Sequence, residues 1–350
     1  GGCSYIIVEG FDIRNMRYTG TDEGTGKFVT LKKNIIHDIA RVLLPCNTPA
    51  VNYGRTGSGS HGVGTRDITW EQNIYHDIGR LWGGCPPDKG NSDYALDHGI
   101  YPDVTYNVNI INNVFYNITA GAILALTGRQ PKDANGNSIS CLNLYVEGCV
   151  RNINVLNNTF HGNSYPQSGY TAGHIGFGWD VGNQDPPLTL PDDLSSTMST
   201  MGILVMNNIF IDPGRHPMRN SHQQATDFSN TYGDFYIWNN MLYNLTGDQP
   251  TLFQFDPDYY TTAVDCAPGL KCSGRGPINW EVDGNIIGQD PKVIDIASRN
   301  FSLQSSSSAI NAGLAYNGRT YDFKGNPIIG TPDLGAYEYQ GSVITTDITP

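Results

Sequence analysis

The chain has 350 residues, 33 acidic against 21 basic side chains, and a formal net charge of −12. The acidic balance, with no basic stripe, argues against nucleic acid as a partner, and no apolar run approaches the length of a membrane span. Gly at 41 and Pro at 20, with charged residues at only 15 %, suit a turn-rich all-β protein and argue against long helices.

The chain opens on Tyr5-Ile-Ile-Val-Glu-Gly-Phe-Asp-Ile-Arg, a strand-like segment that leads to Asn15. It shows no signal-peptide pattern, so it reads as a mature or truncated form. One phrase then recurs: an alternating strand, an Asn, and mostly apolar residues. The copies begin at Asn34, Asn73, Asn113, Asn158, Asn208, Asn240 and Asn285, with a weaker one at Asn15. Such repetition predicts a solenoid, and the period-2 strands make it a β-solenoid. Each Asn falls where the chain must bend. Asn tolerates the left-handed backbone region, and stacked rungs predict an amide ladder.

A second strand family includes His61-Gly-Val-Gly, His98-Gly-Ile-Tyr, Ala120-Gly-Ala-Ile-Leu-Ala-Leu and Gly173-His-Ile-Gly-Phe-Gly-Trp. Insertions at about 79–97, 128–141, 162–172 and 211–232 are expected between the Asn phrase and this family, at one corner of the coil. A further one, about 181–200, follows the second strand. Loops of this length are usually functional when ordered. The repeat stops near 288, so 1–288 reads as coils and 289–350 as a C-terminal cap with a strand-like tail. No cap is visible at the other end.

The seven Cys have no C-x-x-C spacing. Cys141 and Cys149 lie eight apart, Cys266 and Cys272 six apart, and Cys46 and Cys85 each sit in a loop; local disulfides clipping surface loops are the preferred reading, buried free thiols the alternative, and Cys3 is left over. Sequons at Asn117, Asn157, Asn244 and Asn300 are candidate glycosylation sites of a secreted protein.

Together these features resemble the secreted right-handed parallel β-helix proteins of the pectate-lyase-like superfamily. The repeated phrase and the His98-Gly-Ile-Tyr strand carry the resemblance. The tail from Asn300 to Tyr339, with Ala309-Ile-Asn-Ala-Gly and Asp333-Leu-Gly-Ala-Tyr-Glu-Tyr, resembles the terminal segment of bacterial "choice-of-anchor" surface proteins. The implied fold is an all-β, right-handed, single-stranded parallel β-helix of about eight rungs with long loops on one side. The implied location is extracellular or at the cell surface. The N-T-D, D-D, G-H-G and R-I-K signatures of polygalacturonases are not found.

The chemistry expected of such a fold is carbohydrate binding or cleavage, of the lyase or glycoside hydrolase type. His61 and His98, taken as equivalent positions on adjacent rungs, are the leading catalytic candidates, with Asp97, Asp103 and the potential lyase base Lys89. Tyr101, Trp82, Arg129, His174, Trp179, Asp180, Arg215 and Arg219 are candidate substrate contacts, since aromatic faces and cations suit a sugar or a uronate. The bland alternative is that these histidines and carboxylates are self-stacking ladder residues. No cofactor is expected, except that Asp256-Pro-Asp258 offers oxygen ligands for Ca²⁺. A second function stands beside the first: a structural subunit of an extracellular filament or coat, assembling head to tail through its uncapped first rung and strand-like tail.

Overall fold

In the computed structural model the described residues are 4–24, 26–45, 57–63, 65–83, 97–103, 105–126, 151–162, 174–179, 203–213, 217–222, 235–247, 252–255, 280–316 and 319–341. All seven Cys, the tail 342–350 and the Asp256/Asp258 motif lie outside them.

The chain is a right-handed parallel β-helix. Two eight-stranded sheets and one seven-stranded sheet are each built from one strand per rung, and parallel crossovers of this kind are right-handed. The first sheet runs from Ser4–Glu9 through Lys27–Lys32, Arg66–Glu71, Tyr106–Ile111, Arg151–Leu156, Ile203–Met206 and Phe235–Trp238 to Trp280–Asp283. The second runs from Asp12–Arg14 through Ile35–Ile39, Ile74–Ile78, Val114–Ile118, Thr159–His161, Ile209–Ile211 and Met241–Tyr243 to Ile286–Ile287. The third comprises Thr19–Asp22, Ser58–Val63, His98–Asp103, Gly121–Leu126, Ile175–Trp179, Met218–His222 and Phe253–Phe255.

Alternation puts one face of every strand inside. Ile68, Trp70, Val108, Ile110, Ile153 and Val155 of the first sheet are fully buried. Opposite them, Tyr75, Phe115, Phe160 and Phe210 stack through the interior at 5.1, 5.0 and 4.8 Å between ring centroids.

The amide ladder forms as expected. Asn34, Asn73, Asn113, Asn158, Asn208, Asn240 and Asn285 stand one per rung. From Asn73 onward each Oδ1 accepts both the backbone N–H and the side-chain Nδ2–H of the ladder Asn before it, at 2.8–3.1 Å. Two details differ from expectation. The left-handed residue is the one before the ladder Asn: Lys33, Gln72, Asn112, Asn157, Asn207 and Asn239 have φ of 49–59°. In the first rung, Phe11 donates its N–H to Asn34 Oδ1, so Phe11 rather than Asn15 holds the ladder position. Asn15 sits instead at the bend after the second-sheet strand, with φ 57°.

Ladder residues are 39, 40, 45, 50, 32 and 45 apart in sequence. The strands do not lengthen with them, so the connections absorb the variation. Residues 46–56, 84–96 and 163–173 connect the second sheet to the third, whereas 127–150, 180–202, 223–234 and 256–279 connect the third to the first. In chain order the long connections therefore fall both before and after third-sheet strands, rather than at the single position expected.

The described part of the C-terminal segment, within 289–341, packs beside the coil. It runs back along the flank of the coil, where the left-handed corner residues hold it. Asn239, Asn207, Asn157, Asn112 and Gln72 donate side-chain N–H groups to the carbonyls of Ala312, Leu314, Asp333, Tyr321 and Asp322. Phe301, Leu334, Ala336 and Tyr337 pack on the outer face of the second sheet at Val114, Ile209, Ile211 and Met241. Exposed corner amides plus an apolar outer face make the flank a docking surface. The Asn157 sequon is overturned by this packing: its Nδ2 is buried against Asp333 and Gly335, leaving no room for a glycan. Asn244 is nearly buried, while Asn117 is exposed and Asn300 half-buried.

On the first rung, Tyr5 is 78 %, Ile7 69 % and Phe11 57 % exposed.

One interior group gives a pH-dependent prediction. Glu23 points into the coil, where its Oε1 accepts from Thr21 and its buried Oε2 has no hydrogen-bond partner among the described residues. Thr21 also donates to Ser60 Oγ, which lies 3.0 Å from the Tyr75 hydroxyl. Burial pushes the Glu23 carboxyl up to about 7. The folded state then binds this proton more tightly than the unfolded chain. Stability is lost as pH rises from the ordinary carboxyl range through about 7. Relative to wild type, Glu23→Gln should gain about 2 kcal/mol in urea unfolding between roughly pH 5 and pH 8. An unchanged difference at the two pH values would show that the carboxyl stays solvated.

Candidate functional site

The third-sheet register decides the fate of the leading histidines. Ser58 pairs with His98, Ser60 with Ile100, and His61 with Tyr101. His61 and His98 are thus three positions out of register and do not stack on each other. The reason lies in Gly59 and Gly99, which occupy the same position on adjacent rungs. A Cβ on Gly59 would come within 2.5 Å of the Gly99 carbonyl, 2.8 Å of Tyr75 and 2.9 Å of Ile78. Only glycine fits there, so glycine sets the alignment.

His98 is consequently interior, at 3 % exposure. His61 is half-buried and stacks on Tyr101 at 5.1 Å, with Asp22 opposite it on the preceding rung. Asp97 is a corner post. Its carboxylate accepts from the Gly57 and Arg80 backbone N–H groups and, bidentately, from the Arg80 guanidinium, all at 2.7–2.8 Å. With zero exposure it has no access to a substrate. His174 is fully buried against Phe160 and Phe210, and burial pushes its pKa down to about 3. It is a core histidine, not a substrate contact.

The other described candidates are placed by strand register. Asp103 pairs with Val63 and Leu126, Trp179 with His222, and Arg219 with Gly176 and Gln254. Trp82 belongs to a small two-stranded sheet, Leu43–Pro45 with Leu81–Gly83. Lys89, Arg129, Asp180 and Arg215 lie outside the described residues. Of the expected cleft, the structure assembles His61 and His98 around Tyr101, whose ring lies 5.1 Å from the first and 5.8 Å from the second.

A denser arrangement lies on the outer face of the second sheet. Arg14, His37, His76, Tyr116 and His161 occupy one register row, one per rung. His37 stacks on His76 at 4.6 Å, and His76 on Tyr116 at 4.8 Å, each with ring planes 10° apart. Their faces cover one another, so the row presents polar ring edges. Each histidine is held by the carboxylate that follows it: His37 Nδ1 lies 2.7 Å from Asp38, and His76 Nδ1 2.7 Å from Asp77.

The two histidines differ at their second nitrogen. His37 Nε2 is 2.9 Å from Asp12, so the ring is clamped between two carboxylates. His76 Nε2 has no hydrogen bond to a described residue, and its side chain is 17 % exposed. Asp77 is itself fixed: it accepts from His76, from Asn117 Nδ2 and from Arg41 Nη2 at 3.3 Å. Above it, burial and then the Asp77 charge push the Tyr116 phenol up. Arg299 of the C-terminal segment lies 5.2 Å over the Tyr116 ring and 3.0 Å from His161 Nδ1. Burial, then that guanidinium, push His161 down to about 4.

These residues were visible as the His-Asp and Tyr-Asn endings of the repeated phrase. Their recurrence made them look like part of the repeat. The informative signal was that polar rings recur at a position pointing outward. Among the described residues, no group of three or more His, Cys, Asp or Glu is arranged to hold a metal ion.

No family model and no curated protein matches the chain. Among solved structures it is similar to the crystal structure of pectate lyase Pel9A, with a TM-score of 0.29 and 11 % identity over 91 % of this chain and 73 % of that one. A likeness at that level bears on neither the site nor its chemistry.

Proposed function

We propose that this β-helix is an extracellular carbohydrate-binding protein and that the outer row of the second sheet is where a glycan lies. The observation that carries the reading is the line of carboxylate-fixed ring edges, Asp12/His37/Asp38, His76/Asp77 and Tyr116, spaced one rung apart. Adjacent donors and acceptors of fixed orientation suit the neighbouring hydroxyls of a sugar, and a repeating row suits a repeating polymer. The local charge favours a neutral glycan. Asp12, Asp38 and Asp77 would repel a uronate, and Arg14 and Arg41 are already paired with Asp12 and Asp77.

Calorimetry with xylan, glucomannan and polygalacturonate tests this. The wild type should bind a neutral polymer, and His37→Ala and His76→Ala should each weaken binding about tenfold, the loss of roughly one good hydrogen bond. His61→Ala, on the third sheet, should leave affinity unchanged. Binding that is confined to polygalacturonate, or that follows His61 instead, overturns the reading.

A further inference from the structure

We propose that His76 is a general base that hydrolyses acyl esters carried by the bound glycan, with the Tyr116 hydroxyl stabilising the oxyanion. The inference rests on the glycan reading and adds a reaction to it.

Three features qualify His76 as a base, the first shared with His37 and the other two its own. Its Nδ1 is committed to Asp77, which fixes the tautomer with the lone pair on Nε2. Its Nε2 is open, whereas the second nitrogen of His37 is held by Asp12. The orienting carboxylate is immobilised by Arg41 and Asn117 as well as by the imidazole. A ladder that served only stacking would not require a triply held carboxylate behind an open ring nitrogen. Directly above stands the Tyr116 phenol, whose hydroxyl is able to donate.

The groups present select the reaction class. Hydrolysis of a glycosidic bond calls for a pair of carboxyl groups flanking the bond. Here Asp38 and Asp77 are engaged by histidines, and Asp12 by His37. Elimination from a uronate needs a cation to neutralise the sugar carboxylate, whereas here Arg14 and Arg41 are paired with Asp12 and Asp77, and Arg299 is engaged by His161 and the Tyr116 ring. Ester hydrolysis needs a base for water and a donor for the carbonyl oxygen, and both are at hand.

In the step, a water oxygen attacks the ester carbonyl carbon and its proton passes to His76 Nε2. The carbonyl oxygen becomes an oxyanion that accepts from Tyr116. The bond between the acyl carbon and the sugar oxygen then breaks, and the sugar oxygen takes the proton from Nε2. The products are a carboxylic acid and a free sugar hydroxyl. Asp77, Arg41 and Asn117 are positioning residues. His37 below, Tyr116 above, Asp77 alongside, Arg41 behind it and Arg299 over the phenol are the charged or titratable groups around the base.

Acetylated xylo-oligosaccharides are the probe, with acetate release and binding measured on the same samples. His76→Gln, which retains a flat polar side chain in the stack, and His76→Ala should both lower kcat at least 100-fold, within the range for loss of a general base. Tyr116→Phe should lower kcat about tenfold. Asp77→Asn should lower kcat with KM retained and displace the acidic limb of the pH profile, which a purely structural role would not do. Wild-type acetate release no faster than that of His76→Gln, with binding intact, overturns the inference and leaves the glycan reading standing. Absence of binding overturns both.

Discussion

Asp97→Ala should cost about 3–5 kcal/mol in urea unfolding, the usual penalty for breaking a buried ion pair by removing one partner. The carboxylate sits at zero exposure and Arg80 at 3 %. Four donors converge on it: two guanidinium N–H groups, the Arg80 backbone N–H and the Gly57 backbone N–H. Removing it leaves a buried cation and two backbone donors with nothing to accept them. The bond from Gly57 spans 40 residues of sequence and ties the start of one third-sheet strand to the next rung. Replacing both partners with apolar residues, as in Arg80→Met with Asp97→Leu, should recover part of the loss. A cost under about 1 kcal/mol would mean that water reaches the pair. This result also separates the two roles open to Asp97 in sequence. A catalytic carboxylate would lose activity at unchanged stability; a corner post loses stability first.

Asn158→Ala should cost a similar amount, about 3–4 kcal/mol, from the middle of the amide ladder. Asn158 Oδ1 accepts from the Asn113 backbone and side chain, and its own Nδ2 reaches Ile110, Leu156 and Asn208. Alanine strands two buried donors on one side and unmatched acceptors on the other, at roughly 1–3 kcal/mol for each donor. Asn15→Ala provides the contrast. Asn15 lies off the ladder, so only its left-handed backbone is at stake, worth about 1 kcal/mol. Equal losses for the two variants, read from urea midpoints at constant slope, would show that the ladder bonds carry no net stability.

How far each feature was legible depends on the range of the forces that set it. The ladder positions were readable from Asn34 to Asn285 because each rung restates the same local requirement: alternating strand, bend, amide facing inward. The left-handed corner was misplaced by one residue. Asn-Asn pairs such as Asn112-Asn113 offer two chemically identical candidates, and only stacking shows that the second turns inward. The His61/His98 pairing failed because two His-Gly dipeptides were aligned by their letters. The steric constraint falls on Gly59 and Gly99, and the neighbours that exclude a Cβ come from other strands.

The sequence alone determined the repeating unit, and with it the parallel β-helix, since a periodic apolar face can be buried only by stacking one rung on the next. It also specified which side chains could form an inward amide column. Tertiary structure decided the rest: the register of the third sheet, the passage of 289–341 along the flank, and the outward row in which His76 meets Asp77, Tyr116 and Arg41. Those outcomes depend on contacts between residues tens to hundreds of positions apart, such as Gln72 with Asp322. A local pattern can name the residues able to make such contacts, but the partners are set by how the finished coil packs.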